Sequence, residues 1–136
     1  MHCVKIMTQD IKKYNDLQEL SDKKICDFLG EEIGKVLPND QSMVWHAHPV
    51  WFLDGNPIVG YSKMKTGIKL MFWSGVGFKE KDLLHGTGKF KDASITYTSV
   101  DQVNVEDLAR WLQKSKEIQW DYGNIVKRRG LLERLK

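Results

Sequence analysis

The stretch from Met43 to Thr98 constrains the fold of this chain more than any other, because it contains three of the five tryptophans and the clearest strand pattern. β-branched and aromatic residues recur there with a period of two and are interrupted by turn residues, which is typical of short antiparallel strands in a meander. Asp54-Gly55 is a typical hairpin turn, since glycine accepts the positive φ that such a turn requires. The pattern predicts five strands, near residues 43–47, 50–54, 57–64, 67–73 and 92–98.

Helical patterns lie on both sides of these strands. Thr8 is a predicted N-cap of a short helix that reaches about Leu20, and a second helix is predicted to begin at Ser21 and to end before Pro38. Apolar residues three or four positions apart form one stripe on the second helix: Ile25, Phe28, Leu29, Ile33, Val36 and Leu37. We also expect a single helical turn at 79–84 and a C-terminal helix capped by Asn104.

The order of helix, strands and helix predicts an α+β fold. Amphipathic helices bury their apolar stripe against a sheet, so we expect a two-layer sandwich with the N- and C-terminal helices on one face of a five-stranded antiparallel meander. The other face of the sheet would then be exposed. A chain of 136 residues is the size of one domain, and it is long enough to bury a core without a disulfide or a metal.

Composition narrows the class of protein. The 21 basic and 18 acidic side chains are intermixed and give a formal net charge of +3, which argues against a nucleic-acid partner. Cys3 and Cys26 show no motif spacing, and we interpret them as reduced thiols of a cytoplasmic protein. Charged residues follow the N-terminal MHCVKIM, so we expect no signal peptide and no membrane segment. We expect a monomer or a homodimer.

The exposed face of the sheet is the predicted binding site. Each buried tryptophan removes about 150–250 Å² from water, so a core covered by helices on one side can use only some of the five. The others would form an aromatic patch or pocket, and basic residues beside it would hold an anion. The candidate ligand-binding residues are Trp45, His46, His48, Trp51, Lys65, Trp73, Ser74 and Lys89. The lysines are equally explained as solvated turn residues.

His46-Ala47-His48 is the sharpest chemical feature of the sequence. Residues two apart on a strand point to the same side, and two imidazoles at this spacing can share a metal ion, with His85 as a conceivable third ligand. The alternative is structural packing. His48 precedes Pro49 at a predicted strand break, and two ligands alone do not make a metal site.

Several segments carry a family resemblance. They are Trp45 through Pro49, VWFLDGNPIVGYSKMKTGIKLMFW, GTGKFKDASITYT and VEDLARWLQKSKEIQWDYGNIVKRRG. Over about residues 21–130 the chain resembles the YdhG-like family of bacterial domains of unknown function. The matching positions are Pro49, Lys65, Ile68 to Phe72 and Lys89, while Gly67 stands where many members have a histidine.

The YdhG-like resemblance implies a single domain with a fold similar to frataxin. One member of the family has been proposed as a frataxin-like iron chaperone, so the resemblance also implies iron as an alternative ligand. The first-helix carboxylates Asp27, Glu31 and Glu32, or the pair His46 and His48, would then bind the metal.

The sequence favours a binding function over catalysis. No Ser-His-Asp or Cys-His pattern marks a nucleophile, and no pair of carboxylates lies among the predicted strands. We therefore expect a non-enzymatic domain without a resident cofactor, whose exposed aromatic and basic face receives a small anionic ligand or a protein partner. The alternative is an iron-binding or iron-delivery protein of the frataxin kind.

Overall fold

The computed structural model describes residues 7–86, 90–125, 129 and 132–136, in which six strands form one antiparallel sheet and three α-helices flank it. The helices are α1 (Gln9–Asp16), α2 (Leu20–Gly34) and α3 (Val105–Glu117). The strands are β1 (Ser42–Trp45), β2 (His48–Leu53), β3 (Asn56–Met64), β4 (Gly67–Phe72), β5 (Leu84–His85) and β6 (Ala93–Tyr97). Their order across the sheet is β1-β2-β3-β4-β6-β5.

Strands form at all five predicted positions, and the α+β class is confirmed. The predicted count of five is wrong, because β5 adds a sixth strand at the edge beyond β6 and the sheet is therefore not a simple meander. Two further details of the prediction are wrong. Pro49 does not break the strand pattern, because it lies inside β2, and the break falls instead at the two-residue turn between Trp45 and His48. The helical turn expected at 79–84 is reduced to a single hydrogen bond, from the Leu83 amide to the Glu80 carbonyl at 3.3 Å, because Leu84 and His85 extend to form β5 and pair with β6. A short 3₁₀ helix precedes it at Gly75–Phe78.

Two hairpins, whose turns lie at opposite ends of β2, share one turn conformation. Asp54 and Gly55 join β2 to β3 with φ values of 51° and 80°, as their sequence predicted. His46 and Ala47 join β1 to β2 with φ values of 52° and 72°. Positive φ at both central residues is the type I′ geometry, which normally selects Asn-Gly or Asp-Gly. The first hairpin therefore holds two residues with a Cβ in the left-handed region, where L-residues are strained.

One face of the sheet packs against α2 and α3. The predicted stripe of α2 is confirmed in part: Ile25, Leu29 and Ile33 are fully buried and Phe28 is half-buried, but α2 ends at Gly34, so Val36 and Leu37 lie beyond it. The α3 helix buries Leu108, Trp111 and Leu112. The sheet contributes the side chains that alternate toward the helices, which include Trp51, Val59, Tyr61, Ile68, Leu70 and Phe72. Both predicted helices thus lie on one side, and the opposite side of the sheet, the open face, carries the remaining aromatic residues.

Helix boundaries differ in detail from the sequence prediction. The Asn104 cap of α3 is confirmed, since its Oδ1 accepts a hydrogen bond from the Asp107 amide at 3.0 Å. Thr8 occupies the N-cap position of α1, but its hydroxyl donates to the Asp10 carboxylate at 2.6 Å instead of accepting from a backbone amide. Ser21 lies inside α2, which begins at Leu20. None of the described helices has the length and apolar character needed to cross a membrane.

The α1 helix lies beside the edge strand β1. The Asp10 carboxylate accepts a hydrogen bond at 2.7 Å from the amide of Val44, which is in the middle of β1. Farther along the helix, buried Asn15 accepts a hydrogen bond from the Tyr61 hydroxyl at 2.7 Å. These contacts tie α1 to both the edge and the interior of the sheet.

The chain that follows α3 leaves the helical layer and reaches the open face. Asn56 holds this segment through three hydrogen bonds. Its side-chain amide donates to the Trp120 carbonyl at 2.9 Å and to Gln119 Oε1 at 3.3 Å, and its Oδ1 accepts from the Gly123 amide at 3.0 Å. The Tyr122 hydroxyl then donates to the carbonyl of Trp73 at 2.6 Å. As a result Tyr122 lies beside the tryptophans of the open face.

Candidate functional site

Four rings form a cluster on the open face of the sheet. Trp45 lies at the end of β1, and its ring centroid is 5.4 Å from that of Phe52 and 6.3 Å from that of Trp73. The His48 ring is 6.5 Å from Trp73. All four side chains are only half-buried, because no helix covers this face. We call Trp45, His48, Phe52 and Trp73 the ring cluster.

A cleft of about 440 Å³ opens on one side of the ring cluster. We call it the lysine cleft, and its walls include His48, Gly60, Ser62, Lys69, Met71 and Trp73. Gly60 forms its floor in the middle of β3, where a Cβ would collide with the Pro49 carbonyl oxygen and would touch the Trp73 ring. Only glycine fits there, and its missing side chain leaves room above the sheet.

Lys69 supplies the positive charge of the lysine cleft. It lies on β4 opposite Ser62 of β3, so that both side chains point to the open face. The other lysine in the wall, Lys63, is in an ion pair with Asp22 at 2.7 Å. Lys69 has no such ion pair with any residue that the structure describes, and no described wall residue is a carboxylate. The cleft is therefore suited to an anion.

His48 contributes a neutral ring to the same wall. Burial lowers the pKa of His48 below its ordinary value, so that the ring is uncharged at neutral pH. Its Nδ1 is buried and makes no hydrogen bond within the described part of the chain. A neutral imidazole can both donate and accept a hydrogen bond, which suits the recognition of an oxygen-bearing group.

A second, larger cleft of about 670 Å³ lies on the other side of Trp45. We call it the aromatic cleft, and its walls include Met43, Trp45, Phe52, Pro57, Tyr122 and Ile125. None of its described wall residues is charged. A smaller cleft of about 370 Å³ runs between Trp73 and Tyr122. The C-terminal segment thus covers part of the open face but leaves cavities beside the tryptophans.

The structure brings together half of the predicted ligand-binding residues. Trp45, His46, His48 and Trp73 meet at the ring cluster, where the His46 ring lies 4.2 Å from that of Trp45. The prediction missed Phe52, Lys69, Met71 and Tyr122. Counting back in steps of two from Trp73 finds Met71 and Lys69, whereas no local signal places Tyr122.

The other predicted residues lie elsewhere. Trp51 was wrongly placed on the exposed face, because alternation along β2 turns it into the core, where its Nε1 donates to Asn39 at 3.1 Å. Ser74 is buried, and its hydroxyl accepts from the Trp120 amide at 2.9 Å. Lys65 is exposed in the turn between β3 and β4 and lines none of the three clefts. Lys89 lies outside the described residues.

The predicted metal ligands do not converge. His46 is a turn residue and His48 a strand residue, so the premise that they point to one side of a single strand is wrong. His85 lies on β5, at the opposite edge of the sheet from β1.

The carboxylates of α2 have other partners or face solvent. Asp27 pairs with Lys23 at 2.6 Å and Glu32 with Lys35 at 2.6 Å, while Glu31 is exposed. Within the described ranges, no three metal-binding side chains form a group.

Cys26 carries a thiol that is fully buried in α2. Burial raises the pKa of its thiol to about 12, with the negative charges of Asp22 and Asp27 acting in the same direction. The thiol is therefore protonated at neutral pH and does not act as a nucleophile.

Comparison with protein-family models, with curated proteins and with solved structures found no match to this chain.

Proposed function

We propose that this protein is a non-catalytic binding domain that takes a small anionic ligand on the open face of its sheet. The lysine cleft is the observation that carries the proposal. It combines a lysine that is free of carboxylates, a neutral, half-buried histidine and the half-buried indole of Trp73 in one concave site. Charge at Lys69 attracts the anion, and the ring beside it contributes apolar contact.

The shape of the open face favours a small ligand over a protein partner. Small-molecule sites are concave and measure about 300–1,000 Å³, and the lysine cleft, at about 440 Å³, falls within that range. A protein interface of standard size would instead need about 800 Å² of contact on this side. The clefts divide the open face into concave parts around the ring cluster, which suits a ligand of limited size.

The proposal also includes membership of the YdhG-like family and a cytoplasmic location. The order of helix, antiparallel sheet and helix supports a YdhG-like domain with a frataxin-like arrangement, and we propose a cytoplasmic protein on the basis of its reduced-cysteine composition. An iron-binding role has less support, because Asp27 and Glu32 are already paired with lysines.

NMR titration with inorganic phosphate and with acetate tests the proposal. The five indole Nε1–H signals report on separate parts of the molecule. We expect the Trp73 signal to shift, while the signals of Trp51 and Trp111, both buried in the core, stay in place. The variant Lys69→Gln should weaken binding by about 10- to 100-fold, since it removes a charge-assisted hydrogen bond.

Lys65→Gln is the matched control, because it removes an equal charge from the same hairpin without touching the cleft. Wild-type affinity in this variant, together with weak binding by Lys69→Gln, supports the site. Equal loss in both variants would mean that the protein only attracts anions through its net charge, and the proposed site would then be wrong.

A further inference from the structure

We propose that the lysine cleft and the aromatic cleft are two parts of one site, whose ligand is a small aromatic anion. The anionic group would lie at Lys69, and the ring system would lie against Trp45 and Phe52. This inference rests on the proposed function and adds the chemical class of the ligand. Four observations carry it, namely the wall residue that the two clefts share, their complementary walls, the fixed position of Tyr122 and the conformation of the turn between the clefts.

The two clefts meet at the hairpin between β1 and β2. His46 lines both of them, and its ring lies 4.2 Å from that of Trp45. Trp45 belongs to the aromatic cleft and Trp73 to the lysine cleft, yet their rings are in contact at 6.3 Å between centroids. A ligand that occupies both clefts therefore contacts His46 and lies against the touching rings of Trp45 and Trp73.

The walls of the two clefts differ in character in a way that fits an amphipathic molecule. Lys69 and Lys63 both lie in the lysine cleft, whereas the described wall of the aromatic cleft contains no Asp, Glu, Lys or Arg. The aromatic cleft presents three flat rings, from Trp45, Phe52 and Tyr122. Flat rings pack best against another flat ring through offset or edge-to-face contact, which favours an aromatic body over a flexible chain.

The aromatic wall is also fixed in place. The Tyr122 hydroxyl donates to the Trp73 carbonyl at 2.6 Å and accepts from the Lys91 amide at 2.9 Å. Because both hydrogen bonds are made to backbone atoms, the ring is held as a rigid side of the cleft. A site that is formed before binding loses little conformational entropy when the ligand enters.

The turn at the junction holds strained backbone. His46 and Ala47 both have positive φ, at 52° and 72°, in residues that carry a Cβ. Strain of this kind persists only where the surrounding structure holds it, and it is often found at binding sites. Here the turn conformation places the His46 ring against Trp45, at the point where the two clefts join.

Titration with naphthalene-2-acetate, its neutral amide and acetate tests the inference. We expect naphthalene-2-acetate to shift the indole signals of both Trp45 and Trp73, whereas acetate shifts that of Trp73 alone. The ring-bearing acid should bind at least about tenfold more tightly than either acetate or the neutral amide, because it uses both clefts. The signals of Trp51 and Trp111 again serve as internal references.

Variants at exposed apolar residues separate the two clefts. Met43→Gln changes the aromatic cleft, and Leu84→Gln is its control, since Leu84 is exposed on β5 and lines none of the described clefts. We expect Met43→Gln to weaken the binding of naphthalene-2-acetate by about fivefold and to leave the affinity for acetate unchanged. Leu84→Gln should alter neither.

Failure of the inference can be told apart from failure of the proposed function. If acetate binds in a manner that depends on Lys69 while the naphthyl acid binds no more tightly or leaves Trp45 unshifted, the inference is overturned and the anion site stands. Equal affinity for the acid and its amide also overturns the inference. If neither acetate nor phosphate binds in a manner that depends on Lys69, both proposals are wrong.

Discussion

Replacing Ala47 with glycine should stabilise the protein. The residue has a φ of 72° and an exposed side chain, so the substitution removes backbone strain and loses little packing. A left-handed conformation costs a non-glycine residue about 1–2 kcal/mol. Glycine raises the entropy of the unfolded chain, which opposes this gain by about 0.4–1 kcal/mol. The net stabilisation is about 0.5–1 kcal/mol, which corresponds to a Tm increase of about 2–4 °C.

Gly55→Ala, in the hairpin between β2 and β3, is the matched substitution in the opposite direction. Gly55 has a φ of 80° in the same turn position, and a Cβ there would meet no atom within 4 Å. Gly55→Ala should therefore destabilise by the backbone term alone, by about 0.5–1 kcal/mol. Urea unfolding of both variants and the wild type measures the two effects. A destabilised Ala47→Gly beside a destabilised Gly55→Ala would refute the strain argument, since the two turns would then not be equivalent.

Three further predictions concern Glu80, Tyr61 and the pair His46 and His48. Arg110 and Lys114 of α3 form ion pairs with Glu80 and hold its pKa well below its ordinary value of 4.5, so this carboxylate stabilises the fold above that pH and loses its effect as the pH falls. Glu80→Gln should flatten the acid side of urea-unfolding profiles. Tyr61→Phe should cost about 1–2 kcal/mol by calorimetry, because it removes the donor to buried Asn15. Ferrous iron uptake, measured by metal analysis, should be equal in the wild type and in His46→Ala/His48→Ala, and lower uptake in the double variant would contradict this.

The sheet could be predicted because its information is local. Alternation of apolar side chains and the Asp54-Gly55 turn identify strands without knowledge of their partners, and an apolar stripe identifies a helix such as α2. The two-residue turn at His46-Ala47 could not be predicted, because neither residue favours positive φ. The prediction extended the first strand to residue 47 and placed the break at His48-Pro49, and this error produced the expectation of a paired histidine site.

Only part of the candidate site could be predicted from the sequence. Its remaining residues depend on strand register and on contacts between distant parts of the chain. Trp51 and Phe52 are adjacent in the sequence, yet one is in the core and the other on the open face, with a register shift between them. Tyr122 reaches the site only because Asn56, far away in the sequence, holds the backbone of the C-terminal segment. Neither the side of a strand nor such a contact can be read from local composition.

The hydrogen bond from the Val44 amide to Asp10 bears on how this protein associates with other chains. Sheets extend sideways when an outer strand offers unpaired amides to a foreign strand. At the β1 edge, the Asp10 carboxylate already accepts a hydrogen bond from the Val44 amide. At the opposite edge, β5 is only two residues long. Lateral growth into fibrils or mixed sheets is thereby hindered at both ends. Another molecule is left with the broad surface of the sheet as its place of contact.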